Sequence, residues 1–455
     1  MASEKVLSYL DDHQQQHVDQ LCEFLRIPSI SSDSAYDEDT KRAAVFVENE
    51  LRELGLKVEV HDLGGHPLIY AESEIKPDRK TLLFYGHYDV QPVDPLELWD
   101  TPPFEPRIEN GIIYARGTSD DKGQVYTHLK AYEAYIRSGV ELPVNVKFII
   151  EGEEECGGES IYKFTEQNTE KLACDAIVVS DTTLYNETTP GICYSLKGMA
   201  YMEITVIGPD KDLHSGSYGG TVQNPANALA EIVGKLKGAD GRCLVPGFYD
   251  DVLELDQDER DGFAELGYSD EILLSETGSP EAFGEVGFTT LERMWARPTC
   301  DVNGMVSGYG GEGAKTIIPS QALAKVSMRL VPNQDPQVIA DAFSKYVKEI
   351  APAGVKVTVQ NHHNARPVLV PRKSDMVQAG MAALKQGFGA DPVFIREGGS
   401  IPIVGTFQEC LKSPVLLLGY GLSTDNIHSP NEKFHLDNFW RGARTSAVLM
   451  AEAAR

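Results

Sequence analysis

The chain has 455 residues, 42% apolar and 24% charged, the balance of an ordinary folded protein long enough for two domains. Its 69 acidic and 41 basic residues leave a formal charge of −28, which speaks against nucleic acid or an anionic membrane as partner. No run of about 18 apolar residues occurs, the start MASEKVLSYLDDHQQQ lacks the basic and apolar regions of a secretion signal, and seven scattered cysteines without a Cys-x-x-Cys suit a reducing, cytoplasmic setting.

In chain order, Val6 to Leu25 and Lys41 to Leu54 carry apolar residues at helical spacing, and Gly55 closes the second helix. Short alternating runs at 58–60 and 69–71 precede an apolar run, Thr81 to Tyr85, of the kind that forms a strand buried on both faces. Residues 124–137 read as a helix stopped by Ser138 and Gly139. Residues 142–150 read as a strand, Ser160 begins a short helix, and 176–179 is strand again. Such alternation predicts an α/β fold with a mostly parallel sheet sandwiched by helices.

Near residue 195 the pattern changes. Met199 to Ile207 alternates, Asn224-Pro225 opens a helix over 226–236, and an acidic stretch from about 250 to 292 reads as an insertion. Strands at 300–306 and 323–330, a helix at 336–350 and a strand at 355–360 complete a βαββαβ order. That order describes a small sheet with both helices on one face, an α+β domain inserted in the first. The first domain resumes near Pro371 with a helix at 374–386, strands at 393–396 and 415–418, and a closing helix from Leu436. The expected boundaries are 1–194, 195–370 and 371–455.

Chemistry-bearing residues gather where the apolar runs stop. His87 and Asp89, two apart, share a face just past one strand, an imidazole with a carboxylate to fix its tautomer. Asp120 follows a second run in a Gly-flanked turn, the next strand runs into Glu151-Gly-Glu153-Glu154-Glu155, another ends at Asp181, and a late one leads to His428. Open α/β sheets place their sites at these carboxyl ends. His87, Asp120, Asp181, His428 and one glutamate of 153–155 form a nitrogen and oxygen ligand set suited to zinc, with manganese or cobalt able to replace it. Five ligands exceed what one tetrahedral ion needs, and a shared carboxylate would serve two ions, leaving an adjacent glutamate as general base. Arg329 stands on a strand face with Leu323, Lys325 and Ser327, placed either to meet a carboxylate or simply to face solvent. Gly398-Gly399-Ser400 reads more readily as an ordinary turn than as an anion nest. The GxGxxG string at 308–313 lacks the strand and helix of a dinucleotide site, and Cys156 lacks a histidine that would make it a nucleophile.

Over nearly its whole length the chain resembles the zinc-dependent aminoacylase, carnosinase and glutamate carboxypeptidase superfamily of metallopeptidases, above all its nonspecific dipeptidase and carnosinase branch. The resemblance rests on GHYDVQP at 86–92, ARGTSDDKG at 115–123, EGEEECGG at 151–158, DLHSG at 212–216, GAKTIIP at 313–319, REGGSIP at 396–402 and IHSPNE at 427–432. It implies a catalytic domain whose insertion serves as lid and dimerisation domain. It further implies His87 and Asp181 on one metal, Glu155 and His428 on the other, Asp120 bridging, Asp89 behind His87 and Glu154 as base. His214 would reach the neighbouring subunit's site in a homodimer, and Arg329, Ser400, Gly399 and Thr316 would hold the substrate's carboxylate. Glu153 falls outside the motif, and Gly158 stands where the family often has serine. The implied reaction is hydrolysis of a dipeptide amide bond. Asp181, where acylases and carboxypeptidases of the superfamily tend to carry glutamate, favours the dipeptidase over an N-acyl-amino-acid deacylase or carboxypeptidase. The presence of every ligand weighs against a noncatalytic, metal-free binding protein.

Overall fold

Near the start of the chain β1 (Lys57–His61) and β2 (Leu68–Glu72) pair antiparallel and lead to β3 (Thr81–His87), the strand around which the first unit is built. The structure, a computed structural model describing residues 2–455, divides into two compact units. The first comprises the chain up to Tyr194 with Val370–Ile395 and Thr406–Arg455. Ser195–Leu369 and Arg396–Gly405 form the second.

After β3 come two short strands, β4 (Arg107–Glu109) and β5 (Ile112–Tyr114), then β6 (Asn145–Glu151), β7 (Ala176–Val179) and β8 (Gly191–Leu196). β3 lies parallel between β6 and β7. Covered on both faces, it buries every residue from Leu82 to His87, which is why its sequence is a continuous apolar run and does not alternate. The helix Lys122–Ser138 packs on it, buried from Lys122 to Tyr135, and ends at Gly139 in a left-handed conformation with φ 66°. Gly86 permits this approach, because a Cβ there would come within 2.5 Å of the Val125 side chain.

The second unit holds β9 (Gly198–Ile207), β10 (Leu213–His214), β11 (Thr299–Ser307), β12 (Ile317–Ile318), β13 (Gln321–Leu330), β14 (Lys356–Ala365) and β15 (Val368–Leu369). Its antiparallel sheet runs β11-β13-β9-β14. Inward residues of β9 alternate with outward ones, and Ala200, Met202, Ile204 and Val206 meet Leu229 and Ile232 of the helix Pro225–Gly234 and Phe343 and Val347 of the helix Pro336–Glu349. The first of these helices starts as its sequence suggests, with Asn224 Oδ1 accepting from Ala226 N at 2.9 Å and proline at the first position. Helices Gln257–Glu265 and Asp270–Thr277 occupy the acidic insertion.

Three last strands follow: β16 (Val393–Glu397), β17 (Val415–Leu417), parallel to β7, and β18 (Lys433–His435), which pairs with β5. The order β1-β2-β6-β3-β7-β17-β8 thus has a parallel centre and antiparallel edges. One expectation fails at the start of the chain. The helix read as continuous over Val6–Leu25 breaks at His13 into Glu4–Asp12 and Gln14–Leu25. Between the buried Leu10 and Val18 the sequence offers only polar residues and His17, so no apolar stripe carries one helix through, and the His13 ring sits 2.8 Å from the Tyr9 carbonyl instead.

Candidate metal centre

Three of the candidate ligands stand where a strand runs out, and Asp120 and His428 stand on loops that follow strands. His87 is the last residue of β3, and Asp181 lies two positions beyond β7. Glu154 and Glu155 sit on a 3₁₀ turn after β6, closed by Gly157 at φ 68°. Asp120 ends the loop from β5, where Gly123 is required because a Cβ there would fall 1.9 Å from the Thr118 carbonyl oxygen. His428 lies in the loop between β17 and β18, itself at φ 59°.

These residues meet in two overlapping groups, His87 with Asp120 and Asp181, and Asp120 with Glu155 and His428, each with its ligand atoms within 4.8 Å of one another. Asp120 belongs to both, one oxygen 3.2 Å from His87 Nε2 and the other 2.8 Å from His428 Nε2. His428 Nε2 is also 3.2 Å from Glu155 Oε2. Burial, with the nearby charges of Glu155, Asp120 and Asp89, pushes the Glu154 carboxyl up to about 8 against the opposing pull of His87. Burial beside Asp120 pushes Glu155 up to about 7, and Asp181 is raised for the same reasons. Asp120 moves the other way: burial would raise it, but hydrogen bonds from His428 and His87 outweigh that and hold it below the carboxylate range. His428, hydrogen-bonded to Asp120 and Glu155, is raised to about 10. Buried carboxylates that resist ionising beside histidines that hold protons form a cluster short of positive charge, which is the environment divalent cations complete. The donor set fits them.

A surrounding layer fixes these groups. The Asp89 carboxylate accepts from Ser31 Oγ at 2.6 Å and from Glu155 N at 3.0 Å, and lies 3.4 Å from His87 Nδ1, while the Asp89 carbonyl is nearer that nitrogen at 3.1 Å. Asp89 therefore links two candidate ligands. Gln91 donates to Glu155 Oε2 at 2.8 Å. Glu153 accepts from Ser160 N at 3.3 Å, and a Cβ at Gly158 would come within 2.4 Å of its side chain, which accounts for glycine there. Sequence reasoning missed Glu432. Its buried carboxylate accepts from Arg116 Nη1 at 2.8 Å and from the backbone N–H groups of Gly117, Ser119 and Asp120 at 2.9, 2.9 and 3.1 Å. The only signal was its place at the end of IHSPNE, with Arg116 inside ARGTSDDKG.

The remaining candidates lie in the second unit, in two places. Arg329 on β13 donates to Ser400 Oγ at 3.1 Å, and Gly399 accepts from Lys197 N at 3.1 Å. His214 pairs with Ile317 across the β10-β12 ribbon, exposed, its Nδ1 accepting from Gly216 N at 3.1 Å. Thr316 adjoins it there, accepting from Ser215 N at 3.1 Å through its carbonyl. Cys156 is exposed, and its thiol donates to the Glu153 carbonyl at 3.5 Å.

A largely parallel α/β sheet whose strand ends gather two sets of oxygen and nitrogen ligands about a shared carboxylate defines a metallohydrolase architecture. The chain belongs to peptidase family M20/M25/M40, which it matches over residues 83–452. It is 33% identical to the Cys-Gly metallodipeptidase dug1 of Schizosaccharomyces pombe, over 100% of this chain and 99% of that one. It is 30% identical to the human Beta-Ala-His dipeptidase, over 99% and 93%. Among solved structures it resembles a metallo-carboxypeptidase of the M20 family from Sulfolobus solfataricus, with TM-score 0.87 and 35% identity, covering 96% of this chain and 99% of that one. The dipeptidase Dug1p from Saccharomyces cerevisiae superposes with TM-score 0.85 and 30% identity over 99% and 98%.

Proposed function

We propose that the chain is a binuclear metallodipeptidase, and the observation that carries this reading is the pair of ligand groups sharing Asp120. The enzyme is a metal-dependent peptide hydrolase. His87 and Asp181 would hold one divalent cation and Glu155 and His428 the other, with Asp120 between; the nitrogen and oxygen donors favour zinc, with manganese as the alternative. Bound there, the metals would supply Lewis acidity to the scissile carbonyl and acidify water. Glu154 takes the proton of the attacking water and returns it to the leaving amine. Its raised affinity for a proton, set first by burial, suits a group that must hold one between the two steps. Asp89 keeps the His87 ring and the Glu155 backbone in register.

Arg329, Ser400 and Gly399 hold the substrate's C-terminal carboxylate, while Thr316, beside His214 on the β10-β12 ribbon, meets that carboxylate in the neighbouring subunit, where His214 donates to the tetrahedral oxyanion. We assign the second unit as lid and dimerisation domain. β11 supports that assignment: it is an edge strand, and Val302, Met305 and Val306 are 39, 47 and 70% exposed on it. A cytoplasmic setting agrees with seven cysteines none of which is in a disulfide. No helix among the described residues is long and apolar enough to cross a membrane.

The 35% identical structure named a metallo-carboxypeptidase favours a second reading, in which longer peptides lose one C-terminal residue. Both are tested by offering dipeptides, tripeptides and N-acyl amino acids to the purified chain with zinc or manganese. Turnover confined to dipeptides supports the first reading, and equal turnover of tripeptides replaces it with the second. Activity that survives exhaustive chelation overturns both.

A further inference from the structure

In the second unit a cavity of about 390 Å³ is lined by Lys197, Glu285, Arg293, Arg297, Asp301 and Arg329, among others. Its charges do not balance. Arg297 is held by both oxygens of Glu285 at 2.8 and 2.9 Å, and Glu285 also takes Arg242 at 2.7 Å. Asp301 pairs with Lys237 at 2.8 Å. Both carboxylates are thus engaged. Lys197 and Arg329 have no carboxylate within ion-pair distance among the described residues; the Lys197 ammonium reaches only the Arg293 carbonyl, at 3.3 Å, and Arg329 only Ser400. Lys197 is nevertheless 3% exposed. An ammonium buried beside a guanidinium without a counterion is an unfavourable arrangement that one small anion would relieve. The Lys197 backbone also holds Gly399, next to Ser400, so the second cation and the Arg329–Ser400 pair are built into one patch.

We propose that Lys197 is a second cationic ligand for the substrate's C-terminal carboxylate, closing on it together with Arg329. The inference rests on the peptidase reading above and adds a residue to it. Arg329 offers the planar fork that meets one carboxylate edge, and the Lys197 ammonium supplies a point charge at the remaining lone pairs. Ordering the acid in this way selects peptides with a free C-terminus.

The test compares the metal-loaded enzyme on a dipeptide and on the same dipeptide as its C-terminal amide, reading the ratio of the two kcat/KM values. Lys197→Gln keeps a donor for the Arg293 carbonyl but removes the charge, and should lower the acid-to-amide ratio by about tenfold to a hundredfold. Lys197→Arg should retain it within a few-fold. The wild-type enzyme gives a second readout should the glutamine variant fail to fold. Burial, then the neighbouring Arg329, lowers the Lys197 ammonium to about 7. The acid's advantage should therefore decline as pH rises from 6 to 9, since the substrate's own amine is common to both compounds and cancels in the ratio. Lys197 faces Arg329, Arg293 and Arg297, whose guanidinium groups do not discharge in this range, and Lys237, Glu285 and Asp301. A glutamine variant with the wild-type ratio, or a wild-type ratio flat with pH, overturns the role of Lys197 while leaving the peptidase reading intact. A wild-type enzyme that cleaves no peptide at all removes that reading, and this one with it.

Discussion

His428 Nε2 stands 2.8 Å from Asp120 Oδ2, although 308 positions separate the two residues. Asp120 reaches His87 with its other oxygen, so its removal would open both candidate ligand groups at once. Asp120→Asn preserves size and removes the charge. The purified variant should bind fewer than two metal ions per chain after dialysis, as read by elemental analysis, and should lose well over the roughly tenfold to hundredfold that outer-layer substitutions already cost in metal sites. Two ions retained at wild-type affinity would show that Asp120 is not shared.

Glu154→Gln separates proton transfer from metal binding. Glu154 belongs to neither ligand group, but it feels Glu155, Asp120 and His87 electrostatically. The glutamine variant should keep its full metal content and lose turnover by about 10²- to 10⁴-fold, the usual worth of a positioned acid–base group. Normal turnover with full metal would remove Glu154 as the base.

Glu432 supports the loop that carries Asp120, and its loss should be felt first as stability. Arg116 and Glu432 are 2% and 0% exposed at the side chain, so Glu432→Ala leaves a guanidinium buried without its partner. Breaking such a pair costs about 3 to 5 kcal/mol. The urea midpoint should fall accordingly even in metal-free protein, and metal affinity should fall with it because Asp120 N loses its acceptor. An unchanged midpoint would mean that the network around Arg116 reorganises at little cost.

What could be read from the chain alone divides along physical lines. β3, β6 and β7 are visible because a strand covered on both faces must be apolar throughout. The alternation in β9 and β13 is visible because only one face of that sheet is covered. Both signals are local. Glu432 was invisible because its partners Arg116 and Gly117 lie over 300 positions away, joined only by the fold. The unbalanced cations at Lys197 and Arg329 are likewise a property of packing, since a lysine between two strands and an arginine on one are both ordinary in sequence. At His13 the periodic residues on either side suggested one helix, and only the polar stretch between them, read as weak packing, foretells the break.

Acid should destabilise the protein through His128 by a calculable amount. The ring is fully buried, with Nδ1 2.7 Å from Ser446 Oγ and the Phe84 ring centroid at 4.8 Å, and burial lowers it to about 3. The folded state therefore keeps it neutral, while the unfolded chain takes up a proton near 6.5. The stabilisation is complete above that pH and is lost as pH falls toward 3, at up to about 1.4 kcal/mol per unit. Between pH 7 and pH 5 the metal-free wild type should lose about 2 kcal/mol more than a His128→Asn variant, measured by urea unfolding. Parallel losses in the two proteins would show that His128 is protonated in the folded state.

The role assigned to His214 can be tested without a structure of the dimer. The histidine lies exposed on the β10-β12 ribbon, and its proposed target is the centre of the other subunit. Glu154→Gln and His214→Ala homodimers should each be nearly inactive, for different reasons. Coexpressed and paired at random, half of their dimers carry one chain of each kind. In such a dimer the chain with an intact Glu154 receives His214 from its neighbour, while the other centre lacks both groups. One centre in two then works in half of the molecules, so the mixture should recover about a quarter of wild-type activity. Light scattering should show twice the chain mass for all three preparations. If His214 instead serves its own chain, every centre in the mixed dimer lacks one group, and the mixture stays as inactive as its parents.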